Sequence, residues 1–254
     1  MQDRSGSSNA PALKDPSRVA LFLDLDGTVL DIAQAPAEVT TPPDLTPALR
    51  RLQAKLDGAV AILTGRKIAD VDRLLAPLRL PAAGVHGSEF RLDPDGDIEI
   101  GSSTVPAALV DAVEDFVSSI PGLLVEHKDI SIAVHYRAVP QMASELQAEL
   151  RRLLDRHANQ LVLSHGRRVF ELVPEGASKG TALARLMQNR RFRERIPVVI
   201  GDDMSDEAAL AVAAELGGLG LKVRGEHFAS GETHFGGPSE VRNWLRDLAE
   251  TLDR

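Results

Sequence analysis

The chain has 254 residues, a formal net charge of −8, 43% hydrophobic residues and no cysteine. The absence of cysteine excludes disulfide bonds, thiol catalysis and thiolate metal sites, and the acidic balance argues against general binding to nucleic acid. No apolar run reaches the length of a membrane span. We therefore expect a cytoplasmic protein that binds neither a membrane nor nucleic acid. We also expect it to be a monomer.

The first residues lack the apolar centre of a secretory signal, and they predict a disordered leader over residues 1–17. The remaining length is enough for one large domain or for a core with a smaller insert. A change of pattern along the chain favours the second arrangement. We predict a core domain formed by residues 18–104 and 174–254, with residues 105–173 inserted as a second domain.

The predicted core alternates buried apolar strands with amphipathic helices. The strands are expected over residues 19–25, 59–63, 82–85, 197–200 and 220–223. The helices are expected over residues 47–57, 67–78, 178–189, 206–214 and 238–252. Thr46 is the expected N-cap of the first helix, and Pro47 is its expected first residue. This order is typical of an α/β fold with a Rossmann-like, doubly wound parallel sheet.

Residues 105–173 break this order, because a pattern of one helix and two strands occurs twice. The elements are expected over residues 107–120, 123–128, 131–136, 140–157, 161–163 and 168–173. The strands alternate polar and apolar residues, so they predict an antiparallel sheet with helices on one face. A hairpin that starts at His86, with a turn at residues 93–96, is expected before this insert.

Acidic side chains follow two of the predicted parallel strands at the points where the strands end. Asp24 and Asp26 follow the first strand, and Asp202 and Asp203 follow the strand over residues 197–200. In an open α/β sheet, ligands bind at the carboxyl ends of the strands. Carboxylates this close together repel each other unless a cation or a proton offsets their charge. Hard oxygen ligands of this kind predict an Mg2+ site that also holds a substrate phosphate.

Groups that bind phosphate are expected at the same edge of the sheet. Thr64 follows the second strand and offers a hydroxyl beside backbone N–H groups, and Lys179 offers an ammonium at the start of a helix. No glycine-rich loop precedes a Lys-Ser or Lys-Thr pair, so the sequence does not indicate a nucleotide cradle. These residues favour chemistry on a phosphate group.

Four motifs follow one another along the chain, namely DLDGT at 24–28, LTGR at 63–66, Lys179, and GDDMSDE at 201–207. In this order they resemble the motifs of the haloacid dehalogenase (HAD) superfamily of phosphotransferases, and the insert resembles its α+β cap of type C2, with the order αββαββ. Within the superfamily, the chain resembles the trehalose-6-phosphate phosphatases. The segments that carry this resemblance are VHGSEFR at 85–91, VEHKDISIAVHYR at 125–137, VFELVPEGASKG at 169–180, and the form GDDMSDE of the last motif at 201–207.

The resemblance implies an Mg2+-dependent phosphatase that hydrolyses trehalose 6-phosphate through an aspartyl-phosphate. It implies that Asp24 is the nucleophile and that Asp26 is the general acid and base. It implies that Asp24, Asp202 and the backbone carbonyl of Asp26 bind Mg2+, and that Thr64 and Lys179 bind the phosphate.

The resemblance also implies roles for residues around this centre. Asp203 and Asp206 are expected in an outer shell, where they hold metal-bound water or Lys179. Charged residues suit a polyol such as trehalose, because they exchange hydrogen bonds with its hydroxyl groups. The expected sugar-binding residues are Lys128, Glu171, Glu89, Arg91 and Glu126. A cap on linkers near 101–105 and 173–177 is expected to open for substrate and close for chemistry.

Three other interpretations account for part of this pattern. A signalling receiver domain pairs similar residues, but it is about half this length, has no such insert and is phosphorylated at a middle strand. An inactive binding protein on the same scaffold is expected to lose Asp24 or Asp26, and both are present. A different sugar-phosphate enzyme with this core and cap stays open. Examples are a sucrose-phosphate, mannosylglycerate-type or general sugar phosphatase, and a phosphomannomutase.

Overall fold

The computed structural model describes residues 10–11, 13–33, 38–101, 105–128, 130–157, 160–229 and 231–253. The chain divides into two compact units. Residues 1–98 and 178–254 form the first, called the core unit here, and residues 99–177 form the second, called the insert unit. Most of the predicted leader and part of the linker expected near 101–105 lie outside the described residues.

Strands and helices follow one another as the sequence predicts for most of the chain. In chain order, the strands are β1 (Val19–Leu23), β2 (Val60–Leu63), β3 (Ala82–Gly84), β4 (Glu89–Arg91), β5 (Glu99–Ile100), β6 (Leu124–His127), β7 (Ile132–His135), β8 (Leu161–Gly166), β9 (Val169–Pro174), β10 (Ile196–Gly201) and β11 (Leu219–Lys222). The α-helices are α1 (Leu45–Lys55), α2 (Ile68–Leu75), α3 (Ala107–Ser118), α4 (Ala143–His157), α5 (Lys179–Met187), α6 (Glu207–Glu215) and α7 (Pro238–Thr251).

The core unit is built on a sheet with the strand order β11-β10-β1-β2-β3-β4-β5. The strands from β11 to β3 are parallel to one another, and β4 is antiparallel to β3. Every residue of β1 and β2 is buried, as expected for parallel strands with both faces covered. Helix α1 packs against α7, and α5 packs against α6. The predicted doubly wound parallel sheet is confirmed.

The insert unit has a four-stranded antiparallel sheet with the order β6-β7-β9-β8. One face of this sheet carries Val134 and Phe170, which are buried together with leucines of α3 and α4. Because side chains alternate along a strand, Ala133 and Glu171 point to the opposite face. The predicted order αββαββ and the antiparallel sheet with helices on one face are both confirmed.

Two local predictions were wrong. Helix α1 begins at Leu45 after Asp44, so Thr46 is not its N-cap and Pro47 lies inside its first turn. A proline is tolerated there, because the first N–H groups of a helix have no partner within the helix. The hairpin does not start at His86, because residues Val85–Gly87 form a 3-10 turn before β4. Within the described residues, no helix has the length and hydrophobicity required to cross a lipid bilayer.

Candidate active site

Three neighbouring parallel strands end beside one another and bring the predicted polar residues together. Strands β10, β1 and β2 are adjacent in the sheet, and Asp202, Asp24 and Thr64 follow them directly. All three residues are buried, with exposed fractions of 5% or less. Lys179 starts helix α5 and is equally buried. The site is therefore a buried cluster of polar and charged groups, and solvent screens their charges only weakly.

Lys179 joins two of the acidic residues. Its Nζ lies 2.8 Å from Asp24 Oδ1 and 2.7 Å from Asp206 Oδ1. Ser178 caps the helix that begins with Lys179, since its side chain accepts a hydrogen bond from the Thr181 N–H. This N-cap hydrogen bond fixes the start of helix α5. It thereby helps to place the ammonium group of Lys179 between the two carboxylates.

The loop after β1 contacts the Asp202 carboxylate through Thr28 and Gly27. Thr28 Oγ1 lies 3.0 Å from Asp202 Oδ1 and 3.4 Å from Asp24 Oδ2. Gly27 has a φ of +85°, and a Cβ added to it would lie 2.2 Å from the Asp202 carboxylate. No other residue fits this close approach without displacing the acid. The glycine and threonine of the DLDGT motif thus hold Asp24 and Asp202 side by side.

The loop after β10 is ordered by its own acidic residues. Asp206 Oδ2 accepts hydrogen bonds from the backbone N–H groups of Asp202 and Asp203, both at 3.1 Å. Asp203 Oδ1 accepts hydrogen bonds from the N–H of Ser205 at 2.9 Å and from its hydroxyl at 2.7 Å. Asp206 therefore contacts the loop with one oxygen and Lys179 with the other.

Asp26 contacts a different cation from Asp24. Arg66 binds the Asp26 carboxylate through two nitrogens, Nε at 2.5 Å and Nη2 at 2.7 Å. The Asp26 side chain is 31% exposed, so it is the more accessible of the two. Strand β1 ends at Leu23 instead of residue 25, and the chain turns there. The two acids thus leave the same strand end and contact different partners.

Burial and crowding of charge change the acidity of the cluster. Burial raises the pKa of Asp24 to about 7, with the Lys179 charge opposing and the charges of Asp202 and Asp203 adding to the rise. Burial, together with the charges of Asp206 and Asp203, likewise raises the pKa of Asp202 to about 7. Burial alone would lower the pKa of Lys179, but the carboxylates of Asp206, Asp24 and Asp203 raise it well above its ordinary value. One ammonium thus faces several carboxylates.

These residues fit a divalent cation. Asp24, Asp202 and Asp206 each offer a carboxylate oxygen, and the three oxygens lie within 4.8 Å of one another. Several buried carboxylates around one ammonium leave a surplus of negative charge that a second cation would offset. Oxygen donors of this type suit Mg2+. The third acid of this cluster is Asp206. The sequence instead predicted the backbone carbonyl of Asp26 as a third ligand, and that ligand stays a prediction.

A second group of charged residues lies on the insert sheet, on the face opposite the helices. Glu126, Ala133, Glu171 and Ser164 form one row across the four strands. Lys128 Nζ lies 2.8 Å from Glu171 Oε2, and both side chains are buried. The predicted sugar-binding residues Lys128, Glu171 and Glu126 thus belong to one surface of this unit.

Glu126 is paired with a histidine on the same face of the sheet. His135 Nε2 lies 2.8 Å from Glu126 Oε2. The hydrogen bond from His135 lowers the pKa of Glu126, although burial opposes this shift. Glu126 therefore offers a charged acceptor on the insert sheet.

Glu89 and Arg91 belong to the core unit, and both have contacts there. Glu89 Oε2 accepts a hydrogen bond from the N–H of Ile68 at 2.7 Å, at the start of helix α2. Arg91 is 0% exposed, binds both oxygens of Asp72 at 2.6 Å and donates to the carbonyl of Leu80. These contacts favour structural roles. Sugar contact by the two residues stays a prediction.

Replacing Arg91 by Met is expected to lower the free energy of unfolding by about 2 kcal/mol, because the buried carbonyl of Leu80 and the carboxylate of Asp72 lose a hydrogen-bond donor. Arg73→Met is the matched control, because the pair of Arg73 with Asp70 is exposed and should contribute less than about 1 kcal/mol. Urea unfolding measures both variants. Equal losses would contradict a structural role for Arg91.

Sequence reasoning missed two residues of the core cluster. Arg66 belongs to the LTGR motif and Thr28 to the DLDGT motif, but neither motif predicts the contacts of these two side chains. The position of each directly beside a predicted site residue was the available signal. It was insufficient, because the contact of Arg66 with Asp26 joins residues 40 positions apart.

Comparison with known proteins identifies the family of the chain. The family model described as trehalose-phosphatase matches residues 22–243. The chain is 34% identical over 246 residues to the trehalose-6-phosphate phosphatase of Escherichia coli K12, an alignment that covers 94% of this chain and 89% of the relative. A solved structure of a trehalose-6-phosphate phosphatase related protein is 26% identical, with a TM-score of 0.73 over 91% of this chain and 97% of that one.

The core and insert also share their fold with a more distant phosphatase. A solved structure from Bacteroides thetaiotaomicron, of the haloalkanoate (HAD) superfamily, is 14% identical with a TM-score of 0.58, over 95% of this chain and 99% of that one. At this identity the likeness shows the fold alone, and it confirms the predicted HAD-like core. The family match spans most of the chain and includes the whole cluster around Asp24. The chain therefore belongs to the trehalose-phosphatase family, and it is a phosphatase.

Proposed function

We propose that this phosphatase hydrolyses trehalose 6-phosphate to trehalose and inorganic phosphate, with Mg2+ and through an aspartyl-phosphate. One observation carries the proposal, namely the buried contact of Lys179 with Asp24 beside Asp202, in a chain of this family. The names of relatives such as the Escherichia coli protein support the choice of trehalose 6-phosphate.

Asp24 is the proposed nucleophile. One of its oxygens attacks phosphorus, a bond between Asp24 and phosphorus forms, and the bond from phosphorus to the sugar oxygen breaks. Water then attacks the phosphorus of the aspartyl-phosphate, which releases phosphate and restores Asp24. Two covalent steps replace one difficult displacement. Lys179 and Thr28 support the reacting carboxylate, since both lie within reach of its oxygens.

Asp26 is the proposed general acid and base. It donates a proton to the departing sugar oxygen in the first step and takes a proton from the attacking water in the second. Its side chain is more accessible than that of Asp24, which suits a group that meets both the sugar and water. Arg66 fixes the direction of this carboxylate through two hydrogen bonds.

The phosphate oxygens are proposed to contact Thr64 and Lys179. Thr64 lies at the end of β2 and accepts a hydrogen bond from the N–H of Arg66 at 3.2 Å. Asp24 and Asp202 would hold the Mg2+, with Asp203 and Asp206 in supporting positions. When bound, this ion offsets the repulsion between the anionic nucleophile and the anionic phosphate.

The insert unit is proposed to act as the cap that recognises the sugar. Lys128, Glu171 and Glu126 lie on one face of its sheet and offer both donors and acceptors. A disaccharide presents many hydroxyl groups, and a site built to bond them discriminates strongly against substrates that lack them. This face therefore supports a polyol phosphate as substrate.

Phosphate release from a panel of substrates tests the proposal. The panel contains trehalose 6-phosphate, glucose 6-phosphate, sucrose 6-phosphate and mannose phosphates, each with Mg2+ and with excess EDTA. We expect kcat/KM to be highest for trehalose 6-phosphate, and release to need Mg2+. A higher value for another sugar phosphate would retain the core chemistry and overturn the substrate. Equal release with EDTA would overturn the role of Mg2+.

A further inference from the structure

Glu171 is a buried carboxylate that has a donor on each oxygen. Ser131 Oγ donates to Glu171 Oε1 at 2.6 Å, and Lys128 Nζ donates to Glu171 Oε2 at 2.8 Å. Ser131 is 0% exposed. Because each carboxylate oxygen has its own donor, the plane of the carboxylate is fixed, and with it the direction of its remaining lone pairs.

The sheet of the insert unit explains how the three residues meet. Lys128 directly follows β6, and Ser131 directly precedes β7. The N–H of Lys128 donates to the carbonyl of Ser131 at 3.0 Å, which closes the connection between the two strands. Ala133 lies opposite Glu171 in the neighbouring strand, and Ser131 lies two residues before Ala133. All three therefore point to the face opposite the helices.

Stability of the sheet does not require this arrangement. A buried ion pair contributes little net stability, because desolvation of both charges opposes their attraction. An apolar residue is accommodated in the same row, where Ala133 lies opposite Glu171 and is fully buried. A fixed carboxylate and ammonium on this face are instead suited to exchange hydrogen bonds with a polar ligand.

We propose that Ser131 is a positioning residue for sugar recognition, because its hydroxyl holds Glu171 in the direction in which it and Lys128 bind hydroxyl groups of the substrate. This inference rests on the proposed function only in that the substrate carries a sugar. Ser131 touches Glu171 and acts through it.

The test compares a sugar phosphate with a phosphate ester that has no sugar. For Ser131→Ala, kcat/KM for trehalose 6-phosphate is expected to fall roughly 10- to 100-fold, as expected for the loss of a hydrogen bond to a charged group. The fall should lie mainly in KM. For p-nitrophenyl phosphate, which only the core residues need to bind, kcat/KM should change less than about twofold.

Two further variants distinguish positioning from a general loss of structure. Ser119→Ala is the control, because the Ser119 hydroxyl donates to a backbone carbonyl at the exposed end of α3 in the same unit. It should change neither reaction. In a Glu171→Ala background, Ser131→Ala should add nothing further, because a residue that acts through Glu171 has no effect once that carboxylate is absent.

The results that would overturn the role of Ser131 differ from those that would overturn the proposed function. A Ser131→Ala variant that loses activity on both substrates, or on neither, overturns the inference, and so does a full additional loss in the Glu171→Ala background. A wild-type enzyme that prefers another sugar phosphate overturns the proposed function. In that case the same comparison on the preferred sugar phosphate decides the role of Ser131.

Discussion

Asp24→Asn is expected to abolish turnover of every phosphate ester while the protein stays folded. The amide cannot form the aspartyl-phosphate, and the loss of a catalytic nucleophile costs on the order of 10⁶-fold in kcat. Burial raises the pKa of Asp24 to about 7, so the folded protein holds the ionised carboxylate at a cost in free energy. A neutral amide of the same shape removes that cost, and Lys179 keeps its contact with Asp206.

Phosphate release and thermal unfolding should be measured on the same preparation at pH 8. We expect the variant to release no phosphate above background and to unfold at a temperature equal to or above that of the wild type. Asp31→Asn is the matched control, since Asp31 lies in the same loop, is 68% exposed and contacts Arg242. The control should keep full activity. Turnover by the Asp24→Asn variant would exclude the covalent mechanism.

The positions of the core elements were predictable because they depend on local patterns. A buried apolar run such as Val19–Leu23, followed by acids and a glycine, indicates a strand end in a parallel sheet. Three such ends on neighbouring strands meet at one edge by topology alone. The proximity of Asp24, Thr64 and Asp202 is therefore predictable without any knowledge of their side-chain contacts.

The partners of individual charged residues were not predictable, because tertiary packing decides them. Arg91 alternates with apolar residues on a short strand, and a charged residue in that setting is usually exposed. The structure instead buries it fully against Asp72, 19 residues earlier in the chain. Glu89 likewise caps a helix that begins 21 residues before it. Nothing in the local sequence distinguishes these contacts from a solvated face.

The resemblance to a family supplied chemistry that local patterns do not contain. Spacing alone indicated that Asp24 and Asp26 lie close together. The structure divides them between two cations, Lys179 and Arg66. In the proposed mechanism, Asp24 is the nucleophile within the buried cluster, and Asp26 is the acid at the more accessible side.

Lys179→Met is expected to lower kcat by about 10²- to 10³-fold, the effect of removing one group that stabilises charge in a transition state. It should also make stability depend on pH more steeply than in the wild type. The ammonium bridges Asp24 and Asp206 inside the protein. Without it, these carboxylates lose the cation that offsets their mutual repulsion.

The direction of the pH effect follows from the acids. Their pKa is 3.8 in a model compound and about 7 for Asp24 and Asp202 in the folded protein. A raised pKa means that the folded state binds the proton more tightly, so stability is lost as pH rises from about 4 to about 7. Lys179 lowers the pKa of Asp24, so its removal raises that pKa further and extends the loss above pH 7.

Urea unfolding of both proteins without metal, from pH 5 to pH 9, measures this effect. The difference in unfolding free energy should be small at pH 5 and grow to roughly 3–5 kcal/mol at pH 9, the range for an uncompensated buried charge. Lys55→Met is the control, because Lys55 is exposed and pairs with Asp253, whose lowered pKa lies below this pH range, so the difference should be independent of pH. A constant difference for Lys179→Met would mean that the ammonium serves packing alone. Growth of the difference with pH would mean that the Lys179 ammonium offsets the negative charge of Asp24 and Asp206 inside the folded protein.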